Sequence, residues 1–223
     1  MVRVVEPEIL DQLPSADKAA AHSRRDLARL NVLMRHASFI RQHITKDVTR
    51  ISDLGAGDGT LLLSALKSAN SNIREAVLVD QQRIVSDETL KAFESLGIKP
   101  TIARADVFDW LARQSSAPHS AIVANLFLHH FQREKLQRLL YLASQASSLF
   151  IACEPRRGPW PQLAASLIGL IGCNHVTRHD AVVSVRAGFR NRELTALWPD
   201  TTGCLVEERS AGLFSHLFVA RRR

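Results

Sequence analysis

The chain has 223 residues, of which 46% are hydrophobic, and it carries a formal net charge of +7. This length and hydrophobic content predict a single globular domain with a sizeable core. The three cysteines are scattered, which excludes a disulfide framework and a cysteine metal site, and the longest apolar stretch, Leu163–Cys173, is too short to span a bilayer.

The first segment, residues 1–46, is predicted to form a helical cap in front of the main domain, residues 47–223. Residues 7–14 begin and end with proline and are predicted to be irregular. Ala16–His43 has the pattern of a long amphipathic helix, in one piece or broken. Its apolar residues at helical spacing are Leu27, Leu30, Leu33, Met34 and Ala37.

A glycine-rich turn follows the cap. A short apolar run ends in Asp53, and after three alternate glycines comes the apolar segment Leu61–Leu66, an order that predicts a strand, a tight turn and a helix. Glycine adopts positive φ and lets another molecule approach the backbone, and the N-terminus of the following helix offers unpaired N–H groups. The spacing is G-x-G-x-G, whereas dinucleotide-binding turns use G-x-G-x-x-G, so a nicotinamide dehydrogenase is disfavoured.

Asp53-Leu-Gly-Ala-Gly-Asp-Gly59 resembles motif I of the class I S-adenosylmethionine-dependent methyltransferases. The resemblance implies that Asp53 holds the methionine end of the cofactor. A carboxylate suits a ligand that carries a sulfonium and an amino group, but it would repel a pyrophosphate. The turn that would lie against this end of the cofactor consists of Gly55, Ala56, Gly57 and Gly59.

Two further acids follow at the ends of the next predicted strands. Asp80 ends the strand Glu75–Asp80, about 20 residues beyond the glycine turn, where such folds place an acid on ribose hydroxyls. Asp106 comes after the third strand, and the resemblance implies that it meets the adenine, with Val107 or Phe108 against the ring. Alone, Asp80 would be a strand-end acid and Asp106 a helix N-cap, but three acids in the expected order favour a ligand site. The other residues assigned to the cofactor are Gln81 and Asn125.

The remaining segments continue an alternating α/β pattern. Strands are predicted at Ser120–Leu126 and Ser148–Glu154, with a helix at Gln132–Ala146 between them. Cys204–Arg209 and Leu213–Ala220 have the pattern of an antiparallel pair. The expected fold is therefore an α/β, Rossmann-like seven-stranded sheet, mostly parallel, with helices on both faces and an antiparallel C-terminal strand.

Two segments outside this core are expected to define the substrate. The resemblance implies that the N-terminal helix covers the cofactor mouth as a lid; a helix that only covers a sheet edge is the alternative. The second segment is an insertion at about residues 155–192, with an apolar helix (Pro161–Gly172) followed by polar residues. In this fold such insertions commonly form the wall of the acceptor pocket, and polar residues after an apolar helix suit an acceptor site.

Two adjacent histidines after the fourth strand are the main candidates for chemistry on the acceptor. Methyl transfer from a sulfonium mainly requires alignment in a dry site, and a phenol, whose pKa is near 10, is readily helped by a histidine. Asn125-Leu-Phe-Leu-His129-His130 resembles the small-molecule branch of the family, which includes quinone and polyketide methyltransferases. His129 or His130 is thus predicted to be a base or hydrogen-bond partner. The alternative is that one caps the following helix and the other packs against the insertion.

His175 is a weaker catalytic candidate, as is His179. His179 and Asp180 together suggest the metal used by some phenol methyltransferases, but the carboxylates that those enzymes use are not evident. No metal is therefore predicted.

The predicted cofactor is S-adenosylmethionine, and the predicted acceptor is a small phenolic or polyketide-like molecule. A pI near 9.9 keeps an RNA methyltransferase as an alternative, although no RNA-binding module is appended. A non-catalytic cofactor-binding sensor or assembly protein is the other alternative. No signal-peptide pattern opens the chain, so we expect a cytoplasmic protein without a membrane partner. The sequence predicts no oligomeric state.

Overall fold

The computed structural model describes residues 1–14, 16–67, 69, 71–199 and 203–223. Three helices precede the sheet: α1 (Ile9–Gln12), α2 (Lys18–Leu33) and α3 (His36–His43). The predicted long helix is broken at Arg35, whose φ is +60°. The segment predicted to be irregular contains the helical turn α1. The carboxylate that accepts the first N–H groups of α1 belongs to Asp180, far along the chain, so the local sequence does not indicate this turn.

From Arg50 onward, strands alternate with helices. They are β1 (Arg50–Leu54), α4 (Thr60–Lys67), β2 (Glu75–Asp80), α5 (Asp87–Ser95), β3 (Lys99–Arg104), α6 (Val107–Ala112), β4 (Ala117–Asn125), α7 (Arg133–Ala146), β5 (Ser147–Pro155), α8 (Pro159–Leu167), α9 (His175–Ala187), β6 (Cys204–Ala211) and β7 (Ser215–Arg222). Two short 3₁₀ helices, Leu128–His130 and Ile168–Ile171, follow β4 and α8. Among the described residues, no helix is both long and apolar enough to cross a membrane.

The strands form one seven-stranded sheet in the order β3-β2-β1-β4-β5-β7-β6. The first five strands are parallel, and β7 is antiparallel to both of its neighbours. This confirms the predicted fold, including the antiparallel C-terminal strand. The chain leaves β1 toward β2 and later returns to the other side of β1 as β4, which makes the end of β1 a topological switch point.

Helices cover both faces of the sheet and divide the core into two layers. On one face, Ile51 of β1 packs with buried residues of α3, α4 and α5. On the other, Leu54 packs with residues of α6 and α7. Because side chains alternate along a strand, Asp53 lies on the same side as Ile51, in a position that would otherwise hold an apolar core residue. Its carboxyl group is consequently buried.

The insertion after β5 folds as a helical pair beside the N-terminal helices. Asn174 caps α9 by accepting the N–H of Thr177 at 2.8 Å, so the polar stretch that begins at His175 is helical. α9 contacts α8 on one side and α1 and α2 on the other. The insertion therefore packs against the N-terminal helices through α9.

Candidate functional site

A cavity of about 440 Å³ opens where the carboxyl ends of β1, β2 and β4 meet. One wall consists of the glycine turn after β1 and the loops after β2 and β3. The facing wall consists of α1, α2 and the aromatic residues after β4. Of the residues predicted to bind a cofactor, those that line the cavity are Asp53, Gly55, Ala56, Gly57, Asp80, Gln81, Asp106, Val107 and Asn125.

Gly59, the remaining predicted residue, does not line the cavity but shapes the turn. Its φ is +74°, and a Cβ atom there would lie 3.0 Å from the side chain of Leu78. Its carbonyl accepts the N–H of Leu63 and so begins α4. Gly59 thus allows the turn to pack closely on β2.

The other two glycines of the turn face different surroundings. A Cβ atom on Gly55 would lie 2.3 Å from the ring of Phe127, so only glycine fits beneath that ring. A Cβ atom on Gly57 would meet nothing within 4 Å, and the Gly57 N–H donates to Asp80 Oδ2 at 2.9 Å. Both residues have positive φ, which favours glycine. The turn therefore presents bare backbone to the cavity at Gly57.

Asp53 places a carboxyl group on the floor of this cavity. Burial, followed by the negative charges of Asp80 and Asp58, raises the pKa of Asp53 to about 8. Each of these causes penalises an additional negative charge, and a cation in the cavity would act in the opposite direction. The site is therefore electrostatically suited to a positively charged ligand.

The other two acids are held in place by backbone N–H groups. Asp80 Oδ1 accepts the N–H of Gln82 at 2.8 Å, while its Oδ2 accepts that of Gly57. Asp106 caps α6 through Oδ1, and its Oδ2 lies 3.2 Å from the donating Nε2 of Gln81. The helix-cap interpretation of Asp106 is thus correct, and the same residue also lines the cavity.

The two neighbouring histidines have different surroundings. His130 lines the cavity, and its Nδ1 lies 3.2 Å from Asp11 Oδ2. The ring of His129 is buried behind that wall, with Nδ1 2.8 Å from Glu154 Oε2 and Nε2 3.1 Å from Glu8 Oε1. Only His130 is placed to meet a ligand in the cavity.

His129 is the cation of a buried three-residue ion network. Burial alone would lower the pKa of His129, but its hydrogen bonds and charge attraction to Glu154 and Glu8 raise it to about 9. Burial alone would raise the pKa of Glu8, but the hydrogen bond with His129 and the charges around it lower that pKa to about 2; Ser184 also donates to this carboxylate. The network joins the N-terminal segment to the ends of β4 and β5.

Further bonds hold the N-terminal segment against the same region. The Arg3 guanidinium donates to the carbonyl oxygens of Ala187, His129 and Phe131 at 2.7, 3.1 and 3.0 Å, and it stacks on the ring of Phe189. Asp180 accepts the N–H groups of α1 at 2.8 and 2.9 Å. As a result Glu8, Leu10 and Asp11 line the cavity, although nothing in their local sequence indicated this.

The insertion that is expected to form the acceptor wall does not line this cavity. None of the described residues of 155–192 lines the cavity, because α1 and α2 lie between it and the insertion. His175 is exposed at the start of α9, also outside the cavity. Asp180 accepts the first N–H groups of α1, and its Oδ1 also lies 2.9 Å from His179 Nδ1, outside the cavity.

One group of described side chains has a spacing that a metal ion could bridge. The potential ligand atoms of Glu8, His129 and His130 lie within 4.8 Å of one another. Both ring nitrogens of His129, however, are already engaged by carboxylates. In this structure Glu8 and His129 belong to the ion network, and His130 pairs with Asp11.

No family model matches the chain, and no curated protein sequence matches it either. Solved structures do share its fold. The mitomycin 7-O-methyltransferase MmcR has a TM-score of 0.64 at 19% identity, with 96% of this chain and 60% of that chain covered. The N,N-8-amino-8-demethyl-D-riboflavin dimethyltransferase RosA from Streptomyces davawensis has a TM-score of 0.62 at 20% identity, with 97% and 62% covered.

The small RNA methyltransferase HEN1 also shares the fold, with a TM-score of 0.57 at 16% identity over 85% of this chain and 25% of that chain. The chain thus spans about three fifths of the length of the first two neighbours. At these identities the likeness establishes the methyltransferase α/β fold.

Proposed function

We propose that the chain is an S-adenosylmethionine-dependent methyltransferase that methylates an oxygen atom of a small phenolic or polyketide-like molecule. The observation that carries this proposal is the buried carboxyl group of Asp53, which lines a cavity at the switch point of a sheet with the methyltransferase fold. A sulfonium cofactor with an amino-acid tail supplies the positive charge that this site favours.

The cavity residues suit the parts of this cofactor in order. Asp53 and the bare backbone at Gly57 would hold the methionine end, and Asp80 the ribose hydroxyls. Asp106 and Val107 would hold the adenine. When bound, the cofactor supplies the methyl group, and the chain's own residues orient it.

The facing wall suits a small aromatic acceptor. The apolar residues of this wall include Leu10, Leu27, Phe127 and Phe131, and its histidine is His130. Such a surface excludes water and aligns the acceptor for in-line displacement. Because α1 and α2 cover this side of the cavity, residues 1–46 would act as the lid.

His130 would take the proton of the acceptor hydroxyl. Its Nδ1 faces Asp11, which leaves Nε2 available to accept that proton while the acceptor oxygen attacks the methyl carbon. The buried His129 would instead fix this wall through its ion network.

The neighbours include enzymes named for small molecules and one named for RNA. The wall that the N-terminal segment forms favours a small acceptor, since a polynucleotide would have to displace α1 or α2. A non-catalytic cofactor-binding protein would share the cofactor half of the cavity but would need no acceptor side.

Calorimetry with S-adenosylmethionine tests the cofactor half of the proposal. We expect the wild-type chain to bind it, Asp53→Ala with Asp80→Ala to lose binding while folded, and the exposed-acid control Asp87→Ala to retain it. Absence of binding by the wild-type chain would overturn the proposal.

A methyl-transfer screen over phenols and over RNA, read by mass spectrometry, tests the acceptor half. Methylated phenols are the expected result. Transfer to RNA alone would replace the small-molecule acceptor with RNA, and cofactor binding without any transfer would identify a sensor or assembly protein.

A further inference from the structure

The helical pair after β5 exposes large apolar side chains to solvent. Residues 158–177 contain no charged residue. On α8, Trp160, Leu163 and Leu167 recur at helical spacing and so share one face, and Trp160 is 77% exposed. A row of exposed large apolar residues on one helix face is characteristic of an interaction surface.

The same surface continues beyond α8. Leu170 and Ile171 on the following 3₁₀ helix are exposed, Leu170 by 83%. After this 3₁₀ helix the chain contacts α2, where the N–H of Asn174 donates to Asp26 Oδ2 at 3.0 Å. Near the end of α2, Val32 and Leu33 are exposed as well. We define the docking face as the exposed apolar residues of α8 and its 3₁₀ helix.

The exposed charged residues of α2 and of the segment that carries the docking face have one sign. Asp26 is the sole acid within α2, and it is fully buried and accepts hydrogen bonds from Asn174 and Thr177. No acid lies between Glu154 and Asp180. The exposed charged residues of α2 and of 156–178 are Lys18, Arg25, Arg29 and Arg178.

We propose that the docking face binds the surface of an anionic lipid bilayer. Trp and Leu side chains enter the boundary between headgroups and acyl chains, and neighbouring Lys and Arg side chains contact anionic headgroups. The apolar residues lie on α8 and its 3₁₀ helix and the cations on α2 and α9, and α9 contacts both α8 and α2. α8 would lie parallel to the bilayer surface, because its apolar residues form one face of a short helix.

The charge pattern favours a bilayer over two other occupants. A second copy of the chain docked on the same face would bring the arginines of both copies together, which is unfavourable. RNA would satisfy the cations but would leave Trp160 and Leu170 in water. An anionic bilayer satisfies the apolar and the basic residues at once.

This inference goes beyond the proposed function and does not depend on it. It departs from the sequence-based expectation of no membrane partner, since sequence pattern alone does not show that an apolar helix is left exposed. Leu27, Ala28 and Asn31 of α2 line the cavity. A docked bilayer would therefore lie beside a helix that also forms the cavity wall, which suits an apolar acceptor.

Flotation of the full chain with vesicles tests the proposal without cofactor or acceptor. The vesicles contain phosphatidylcholine alone or phosphatidylcholine and phosphatidylglycerol in equal amounts. We expect the chain to float with the anionic vesicles and binding to weaken as salt rises. Absence of binding to anionic vesicles by the folded chain would overturn the proposal.

Paired substitutions separate the docking face from general stickiness. Leu170→Gln with Ile171→Gln should weaken vesicle binding about tenfold or more, since two apolar side chains no longer enter the bilayer. The control Leu213→Gln removes a leucine that is 72% exposed on the turn between β6 and β7, and it should leave binding unchanged. Arg25→Gln with Arg178→Gln should weaken binding and reduce its salt dependence. Equal binding by all variants would refute the assignment.

Two further measurements identify the other occupants. Light scattering of the free chain would reveal a concentration-dependent dimer, and loss of that dimer in Leu170→Gln with Ile171→Gln would make the face a contact between copies. If the chain binds RNA tightly but does not bind vesicles, and the double substitution leaves RNA binding unchanged, the basic residues would be assigned to RNA. Either result would overturn the bilayer proposal.

Discussion

His129 Nε2 lies 3.1 Å from Glu8 Oε1, so a residue of the N-terminal segment and a residue that follows the fourth strand form a buried ion pair. Glu154 completes the network from the opposite side of the ring, at 2.8 Å. The cavity wall formed by Leu10 and Asp11 follows directly after Glu8 and is held by this pair.

Glu8→Gln should destabilise the protein by about 3 kcal/mol at neutral pH, because a buried charge loses one of its partners. Chemical unfolding monitored by circular dichroism measures this change. The matched control is Glu6→Gln, whose side chain pairs with Arg186 at the surface and should matter little. Equal losses in the two variants would show that the network does not hold the segment.

The same network predicts a pH dependence of the free energy of unfolding. The pKa of His129 is about 9 in the folded chain against an ordinary value of 6.5. Between these values the folded chain keeps a proton that the unfolded chain has released, so the network's contribution declines as pH rises from 6.5 to 9. Unfolding midpoints across this range should show the decline, and His129→Gln should remove it. A wild-type curve that this substitution leaves unchanged would contradict the assignment.

Asp53 should couple cofactor binding to proton release. Its pKa is about 8 in the free protein, so at pH 7 the carboxyl group is mostly protonated, and a cationic ligand would favour its ionised form. Affinity for S-adenosylmethionine should therefore increase as pH rises toward 8. Calorimetry at pH 7 in buffers of different ionisation enthalpy should detect released protons, and fewer in Asp53→Asn. Identical proton release in both proteins would assign it to another group.

Gly57→Ala should separate cofactor binding from stability. The added Cβ meets no protein atom within 4 Å, so the folded chain bears only the strain of positive φ, about 1 kcal/mol. The methyl group nonetheless occupies the surface against which the cofactor would lie, and affinity should fall at least about tenfold. Gly212→Ala is the control, since it also has positive φ with open space but lies in the β6–β7 turn. Equal affinity in the two variants would place the cofactor elsewhere.

His130→Gln should lower kcat for a phenolic acceptor by about 100-fold or more, because the acceptor loses its base. Affinity for the cofactor should be unchanged. Asp11→Asn should lower kcat less, since Asp11 orients His130 and does not itself take the proton. His175→Gln, at an exposed position outside the cavity, should behave like wild type. A loss in His175→Gln as large as in His130→Gln would contradict the assignment of the base.

The cavity wall that contains the glycine turn could be predicted from the sequence because its signals are local. The glycines after β1 and the acids after β2 and β3 follow apolar runs directly, and parallel strands bring their carboxyl ends to one edge. The strand Glu75–Asp80 was predicted with the bounds that the structure has.

The facing wall, which we propose as the acceptor side, could be predicted only in part. The sequence indicated the two histidines and an N-terminal helix over the cavity, but not the contacts that join distant residues. Glu8 meets His129 across 121 positions, and Asp180 meets Ile9 across 171. No local pattern distinguishes the buried His129 from the cavity-lining His130. That difference arises from Glu154, which lies on the neighbouring strand and accepts N–H groups of the residues just before His129.

Asp180 links the helical pair after β5 to the part of the cavity wall that α1 forms. Its carboxylate holds the first two N–H groups of α1 from within α9, and α9 packs on α8. A displacement of α9 would carry Leu10 and Asp11 with it. If the exposed face of α8 binds lipid as we propose, two hydrogen bonds connect that face to the cavity wall.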